Sequence, residues 1–295
     1  MGSAIIWFIL KGISRIPEGI LRLFSGILFF ILFYLARYRR RVVRDNLRRS
    51  YPDLPEGELA KIEKGYYRQL SELFPETACL IRIGAQESRE RIRLVNPDLL
   101  QKYLKAGKSL FILTGHTGNW EWGTLPFLAN DYRVFAVYKP QSSRSATELM
   151  NRIRQKPGVM MIPMKETYRA VKQELDSGRP PFIVGLIADQ IPAKGDIHFW
   201  TRFLNQDTAF YTGGEKMARK FRMPVLYMEQ RKTGFGRYET SMIELYDGIA
   251  EVPEHTITEQ FVRHLEATIN RDPRLWLWSH RRWKYGKEKV LLPDA

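Results

Sequence analysis

The stretch Leu110-Phe111-Ile112-Leu113-Thr114-Gly115-His116-Thr117-Gly118-Asn119-Trp120-Glu121 decides how the chain folds. Leu110 to Thr114 is an apolar run of strand length and reads as a buried strand. His116 and Glu121 cannot share a face of a regular helix, because five residues turn about 500° and leave them about 140° apart. The spacing instead predicts His116 on the turn leaving the strand and Glu121 in the first turn of the next helix. Gly115 and Gly118 permit the sharp turn between. The imidazole can then point back at the carboxylate. A carboxylate on an imidazole fixes its tautomer and stabilises the imidazolium, which is the arrangement of a general base. The ends of strands where His116 falls are also where open α/β sheets bind ligands.

Working outward from this turn, short strands alternate with helical stretches. Strands are predicted over Arg91–Val95, Ser109–Thr114, Arg133–Val137, Val159–Ile162 and Pro181–Ala188. Helices are predicted over Pro97–Lys105, Asn119–Leu128, Ser143–Gln155 and Glu166–Asp176, with Gly107 and Gly178 where helix C-caps belong. Such alternation implies an α/β fold with a mainly parallel central sheet flanked by helices. Further on, Phe210–Phe221 reads as a helix, Pro224–Arg231 and Arg237–Leu245 as a hairpin, and Thr256–Asn270 as a last helix. Upstream, Tyr51 to Glu56 looks like a helix start, with Asp53 as the candidate cap and Pro75 kinking or ending the helix near Leu73. Residues 51–295 are read as one domain.

Residues 1–50 are read as a membrane anchor with a basic segment behind it. Leu23 to Ala36 carries no charge over fourteen residues. That is about 21 Å of helix, short of a bilayer core of about 30 Å. Extended back to Gly19 with Arg22 snorkelling, the segment could span; otherwise a helix pair lies in one leaflet. The flanks do not resemble a cleaved signal peptide. Arg37, Arg39, Arg40, Arg41, Arg44, Arg48 and Arg49 follow, and read as a juxtamembrane clamp on anionic lipid that keeps the body on the cytoplasmic side. The tail from Arg274 mixes Trp276, Trp278 and Trp283 with cations. It suits either a headgroup-level belt or a packed lid over the sheet.

The His-x4-Glu pattern within HTGNWE resembles the His-x4-Asp/Glu motif of glycerolipid-type acyltransferases. With Val137-Tyr138-Lys139-Pro140, Asn151-Arg152-Ile153-Arg154, Ala188-Asp189-Gln190 and Leu275 to Trp283 in the same order, the chain most resembles the bacterial lipid A late acyltransferases and their phosphatidylinositol mannoside relatives. The resemblance covers nearly the whole chain. It implies an acyl thioester donor, most simply an acyl carrier protein, which is acidic and suits a basic surface. Coenzyme A is the other carrier. It implies as acceptor a lipid A precursor, or another glycolipid or amino-acid lipid, at the inner membrane. Glu121 stands where some relatives have Asp.

Acyl transfer to a hydroxyl needs a base, an electrophilic thioester and donors for the developing oxyanion. His116 is the expected base and Glu121 its orienter. No G-x-S-x-G elbow is present, so direct attack without an acyl-enzyme is expected. Arg154, with Lys139, is the candidate grip on acceptor phosphate or carboxylate, as the resemblance implies. Asp189 and Gln190 end a strand facing the same crevice and are candidate hydrogen-bonding partners of the acceptor; a turn-capping Asp is the alternative. Asn119 is a candidate substrate-binding residue, with shaping of the turn or capping of the following helix as the alternatives.

The balance of 47 Lys and Arg against 32 Asp and Glu, net +15, favours acidic partners. A non-enzymatic basic protein would explain that charge but leave His116 and Glu121 idle. A hydrolase that activates water is the other rival. Lone Cys79 excludes an intramolecular disulfide and, in an apolar helical stretch, reads as a packing residue. The five histidines are scattered, so no metal is expected. No cofactor is expected either, and nucleic acid is not an expected partner.

Overall fold

The computed structural model describes residues 2–141 and 143–287. Its helices are α1 (Gly2–Ile13), α2 (Glu18–Phe30), α3 (Arg40–Ser50), α4 (Glu56–Cys79), α5 (Ala85–Arg91), α6 (Pro97–Lys105), α7 (Leu125–Leu128), α8 (Arg144–Gln155), α9 (Thr167–Asp176), α10 (Gly213–Phe221) and α11 (Thr256–Arg271). Its strands are β1 (Ile92–Leu94), β2 (Leu110–Thr114), β3 (Arg133–Tyr138), β4 (Met160–Pro163), β5 (Phe182–Ile187), β6 (Trp200–Phe203), β7 (Gln206–Ala209), β8 (Val225–Gly234) and β9 (Arg237–Tyr246).

Seven strands form one sheet in the order β1-β9-β8-β2-β5-β3-β4. The run β8, β2, β5, β3, β4 is parallel. β9 returns antiparallel to β8 through the hairpin, and β1 adds to β9 in parallel. The α/β architecture with a mainly parallel sheet therefore holds. Every residue of β2 is buried, as expected of a central parallel strand covered on both faces.

Three local expectations change. The helix expected over Asn119–Leu128 is a 3₁₀ turn, Trp120–Trp122, followed by the short α7. α4 continues through Pro75 to Cys79, because Glu76, Ala78 and Cys79 behind the proline are buried and held by tertiary contacts. Asp53 does not cap α4; Pro55 holds the cap position, and Glu56 and Glu58 complement the helix N-terminus instead. The separate β6–β7 ribbon turns on Leu204 and Asn205, both with positive φ. A leucine there gives no turn signal in sequence. Cys79 packs in the core, and burial pushes its thiol up to about 11.

Helices α1 to α3 pack on this body. Phe33, Val43 and Leu47 join the main core, and Trp7, Leu10 and Leu21 join a second cluster with Cys79 and Trp122. With the π-helical turn Ile31–Leu35, α2 makes an apolar helix over Glu18–Leu35 of mean hydropathy 1.8, mostly outside the folded core. Phe8, Leu23, Ile27, Phe30 and Leu35 face outward along α1 and α2. The arginine run is partly spent on ion pairs: Arg40 and Arg44 converge on buried Glu63, and Arg48 meets Glu56.

The described part of the tail, from Arg274 to residue 287, takes the packed alternative. Trp276, Trp278 and Arg282 are buried, and Leu277 N donates to His116 O. The tail lies along the turn after β2.

Candidate active site

β2 and β5 are neighbours in parallel register, with Thr114 opposite Ile187. Carried two residues past the strand ends, this register brings His116 opposite Asp189. The Asp189 side chain is the hub of the site. Its Oδ1 lies 2.5 Å from His116 Nδ1, and its Oδ2 accepts from His116 N at 2.8 Å and from Trp276 Nε1 at 2.7 Å. Burial opposes its charge. The adjacent His116 and the hydrogen bonds from His116 and Trp276 outweigh burial and hold the carboxyl at about 2, below the usual range.

These donors fix the imidazole. A carboxylate on Nδ1 requires the proton there, leaving a lone pair on Nε2. Gln190 Nε2 sits 3.2 Å from His116 Nε2, where its amide can donate to that lone pair. The Trp120 ring stands edge-on at 5.2 Å. The His116 side chain remains 15% exposed, whereas Asp189 is 2% exposed, so the ring alone meets incoming groups.

Glu121 is the main correction. It occupies the 3₁₀ turn after the His116 loop, as the spacing requires, but its carboxylate points to Arg154. The pair is bidentate, with Oε2 to Nε and Oε1 to Nη2, both at 2.7 Å. Trp120 Nε1 donates to the same carboxylate. The group holding His116 is Asp189, supplied by a strand 73 residues downstream. Arg154 is consequently a partner of Glu121 and not a free grip. The guanidinium of Arg152 stacks 3.8 Å above the Trp7 ring. Lys139 is exposed after β3, and no bond ties it to the site among the described residues.

Asn119 is fully buried and committed to structure. Its Oδ1 accepts from Trp122 N, its Nδ2 donates to Glu76 Oε2 at 2.7 Å, and its N donates to Gln230 Oε1. Substrate cannot reach it, so it shapes the turn. Glu76 accepts also from Tyr238 Oη and Gly236 N. Burial pushes its carboxyl up to about 7, against Lys232 and the Tyr238 and Asn119 donors. Sequence reading missed Glu76, Gln230 and Trp276, since a buried glutamate in α4 carries no local sign of its partners.

The two glycines earn their places differently. Gly118 has φ +61 and a Cβ there would meet Gln230 Oε1 at 2.8 Å. At Gly115 a Cβ would lie 2.5 Å from Leu265 and 3.3 Å from Asp189 Oδ2. Among the described residues no cluster of His, Cys, Asp and Glu has the geometry of a metal site.

Residues 2–285 match the family model described as bacterial lipid A biosynthesis acyltransferase. The protein is therefore an enzyme of the acyltransferase class. Because the match spans nearly the whole chain, it belongs to the bacterial lipid A biosynthesis acyltransferases. Among solved structures it is similar to the 1-acyl-sn-glycerophosphate (LPA) acyltransferase PlsC from Thermotoga maritima, at 12% identity and a TM-score of 0.36, over 86% of this chain and 97% of that one. No curated protein matches the sequence significantly.

Proposed function

We propose that the protein transfers a fatty acyl group from an acyl carrier protein thioester to a hydroxyl of a lipid A precursor, with His116 as general base. The observation that carries this reading is the 2.5 Å contact of Asp189 with His116 Nδ1, which leaves Nε2 as the free base. The acceptor hydroxyl displaces Gln190 from Nε2 and gives up its proton there. Its oxygen attacks the thioester carbonyl, and a tetrahedral intermediate forms. The C–S bond then breaks, and the imidazolium returns the proton to the leaving thiolate. The products are the ester and the free carrier thiol. Asp189 stabilises the imidazolium between the two transfers, a contribution of about 10²–10⁴-fold for the base as a whole. Glu121 holds Arg154 and through it the turn.

The apolar outer faces of α1 and α2 support placement at the inner membrane, with the body on the cytoplasmic side where acyl thioesters are made. Because the inner faces of both helices pack on the body, the pair dips into one leaflet. An acidic carrier fits the net charge of +15. Mass spectrometry of membrane lipids from cells with and without the protein, and with His116→Ala, tests the reading. One lipid should gain an acyl mass only with the intact enzyme. Free fatty acid without a modified lipid would point to hydrolysis instead.

A further inference from the structure

Arg154 is committed to Glu121, and an acidic acceptor needs a cation to hold it. A cleft of ≈ 480 Å³ between α4 and the turn after α11 offers one. Lys61, Lys64, Arg68, Arg271 and Arg274 line it, with Asp272 the single carboxylate. Arg274 is fixed in place. Asp272 takes its guanidinium bidentately at 2.7 and 2.8 Å, and its methylenes lie across Gly65, where a Cβ would meet them at 2.6 Å. A glycine inside a helix costs about 1 kcal/mol relative to alanine, and here it makes the seat for this side chain. Lys61 and Arg271 lean on Glu58 and Glu229. Lys64 and Arg68 have no carboxylate partner among the described residues. Arg68 lies over the Phe29 ring at 5.5 Å.

The position of the cleft selects its ligand. The apolar helix runs antiparallel beside α4: Phe24 meets Phe74, Phe33 meets Tyr67 at 5.4 Å, Tyr67 Oη donates to Tyr38 O, and Arg40 meets Glu63. Lys61, Lys64 and Arg68 therefore stand at the level where the apolar segment ends and the arginines begin. With the apolar segment in a membrane, that is the level of lipid phosphates. From the cleft the chain runs straight to the active site. Leu275 O accepts from Gly118 N, and Trp276 donates to Asp189. Arg274 stands two residues before Trp276, within the 3₁₀ turn Pro273–Leu275.

We propose that this cleft binds the headgroup phosphate of an anionic membrane lipid and presents that lipid's hydroxyl to His116. The inference rests on the membrane reading above, but its test does not depend on turnover. Full-length protein is partitioned onto phosphatidylcholine vesicles with and without phosphatidylglycerol. Both vesicle types accept the apolar helices, so the difference between them isolates the headgroup. The variant K64Q/R68Q removes a half-buried and an exposed cation, neither of them part of the core. K105Q/K172Q, two exposed lysines on α6 and α9 outside the arginine run, removes the same charge. At about 1 kcal/mol per cation at the surface, the first should lower the anionic preference about 30-fold, and the second only a few-fold. Acyl transfer by K64Q/R68Q should show a raised KM for an anionic acceptor with kcat retained. Equal losses in the two variants would reduce the cleft to general surface charge and overturn the proposal. So would displacement from vesicles by micromolar inorganic phosphate, the mark of a free-phosphate site. Unchanged vesicle binding with lost binding of an acidic carrier protein would make the cleft a protein-docking site and equally refute it. A protein inactive in every transfer assay but showing the 30-fold difference would sink the acyl-transfer mechanism while leaving the cleft as assigned.

Discussion

Replacing Asp189 by Asn should remove most of the activity, for a reason specific to its three bonds. Oδ2 accepts from two donors, His116 N and Trp276 Nε1, while Oδ1 faces His116 Nδ1. An amide can match the two donors only by turning its single oxygen toward them. Its NH₂ group then faces His116 Nδ1, which must become an acceptor. The proton moves to Nε2, and the ring loses the lone pair that takes the acceptor's proton. The alternative orientation leaves two donors facing the NH₂ group in a buried site, at a cost of about 1–3 kcal/mol for each unsatisfied group. Loss of charge adds to this. The adjacent His116 and the hydrogen bonds from His116 and Trp276 outweigh burial and favour the charged form of Asp189, and an amide gives up that charge. Together with the wrong tautomer, kcat should fall by about 10²–10⁴-fold. The assay is transfer of labelled acyl chain from a carrier thioester to acceptor in detergent, with a pH–rate profile for each variant. Glu121→Gln is the comparison. If Asp189→Asn kept kcat within about threefold while Glu121→Gln abolished it, Glu121 would be the group serving His116 in the working complex, and the assignment of Asp189 would be wrong.

Glu121→Ala and Arg154→Ala should each destabilise by about 1–3 kcal/mol, since each leaves a mostly buried charge unpaired. The double variant should cost less than the sum, as thermal melting of all three would show. Glu76 gives a pH dependence of stability. Its folded value of about 7 exceeds the ordinary 4.5, so its contribution is full below about 4.5 and is lost as pH rises through 7, on the order of 3 kcal/mol in all. Denaturant midpoints should fall over that window in the parent and flatten in Glu76→Gln; an unchanged slope would show that Glu76 does not titrate there.

The sequence by itself determined the layered α/β fold and the turn after β2 that carries His116. Apolar runs of strand length, helical stretches between them, and glycines at the helix ends are local signals, and β2, α6, β5 and the β8–β9 hairpin fall close to where those signals put them. The turn carrying His116 was legible for the same reason. What the tertiary structure decided is which side chains meet. His116 and Glu121 are close in sequence, yet the 3₁₀ turn aims Glu121 at α8, and Arg154 answers with a bidentate pair. Asp189 reaches His116 because β5 lies next to β2, a strand order that no local pattern encodes. The role of Asn119 has no local sign for a similar reason: its partners Glu76 and Gln230 come from α4 and β8. The tryptophan-rich tail reads equally as a membrane belt or a lid until Trp276 is seen on Asp189. Local propensity fixes elements within a few residues, whereas the pairing of charged and polar groups follows from sheet order and packing, which the chain settles only as a whole.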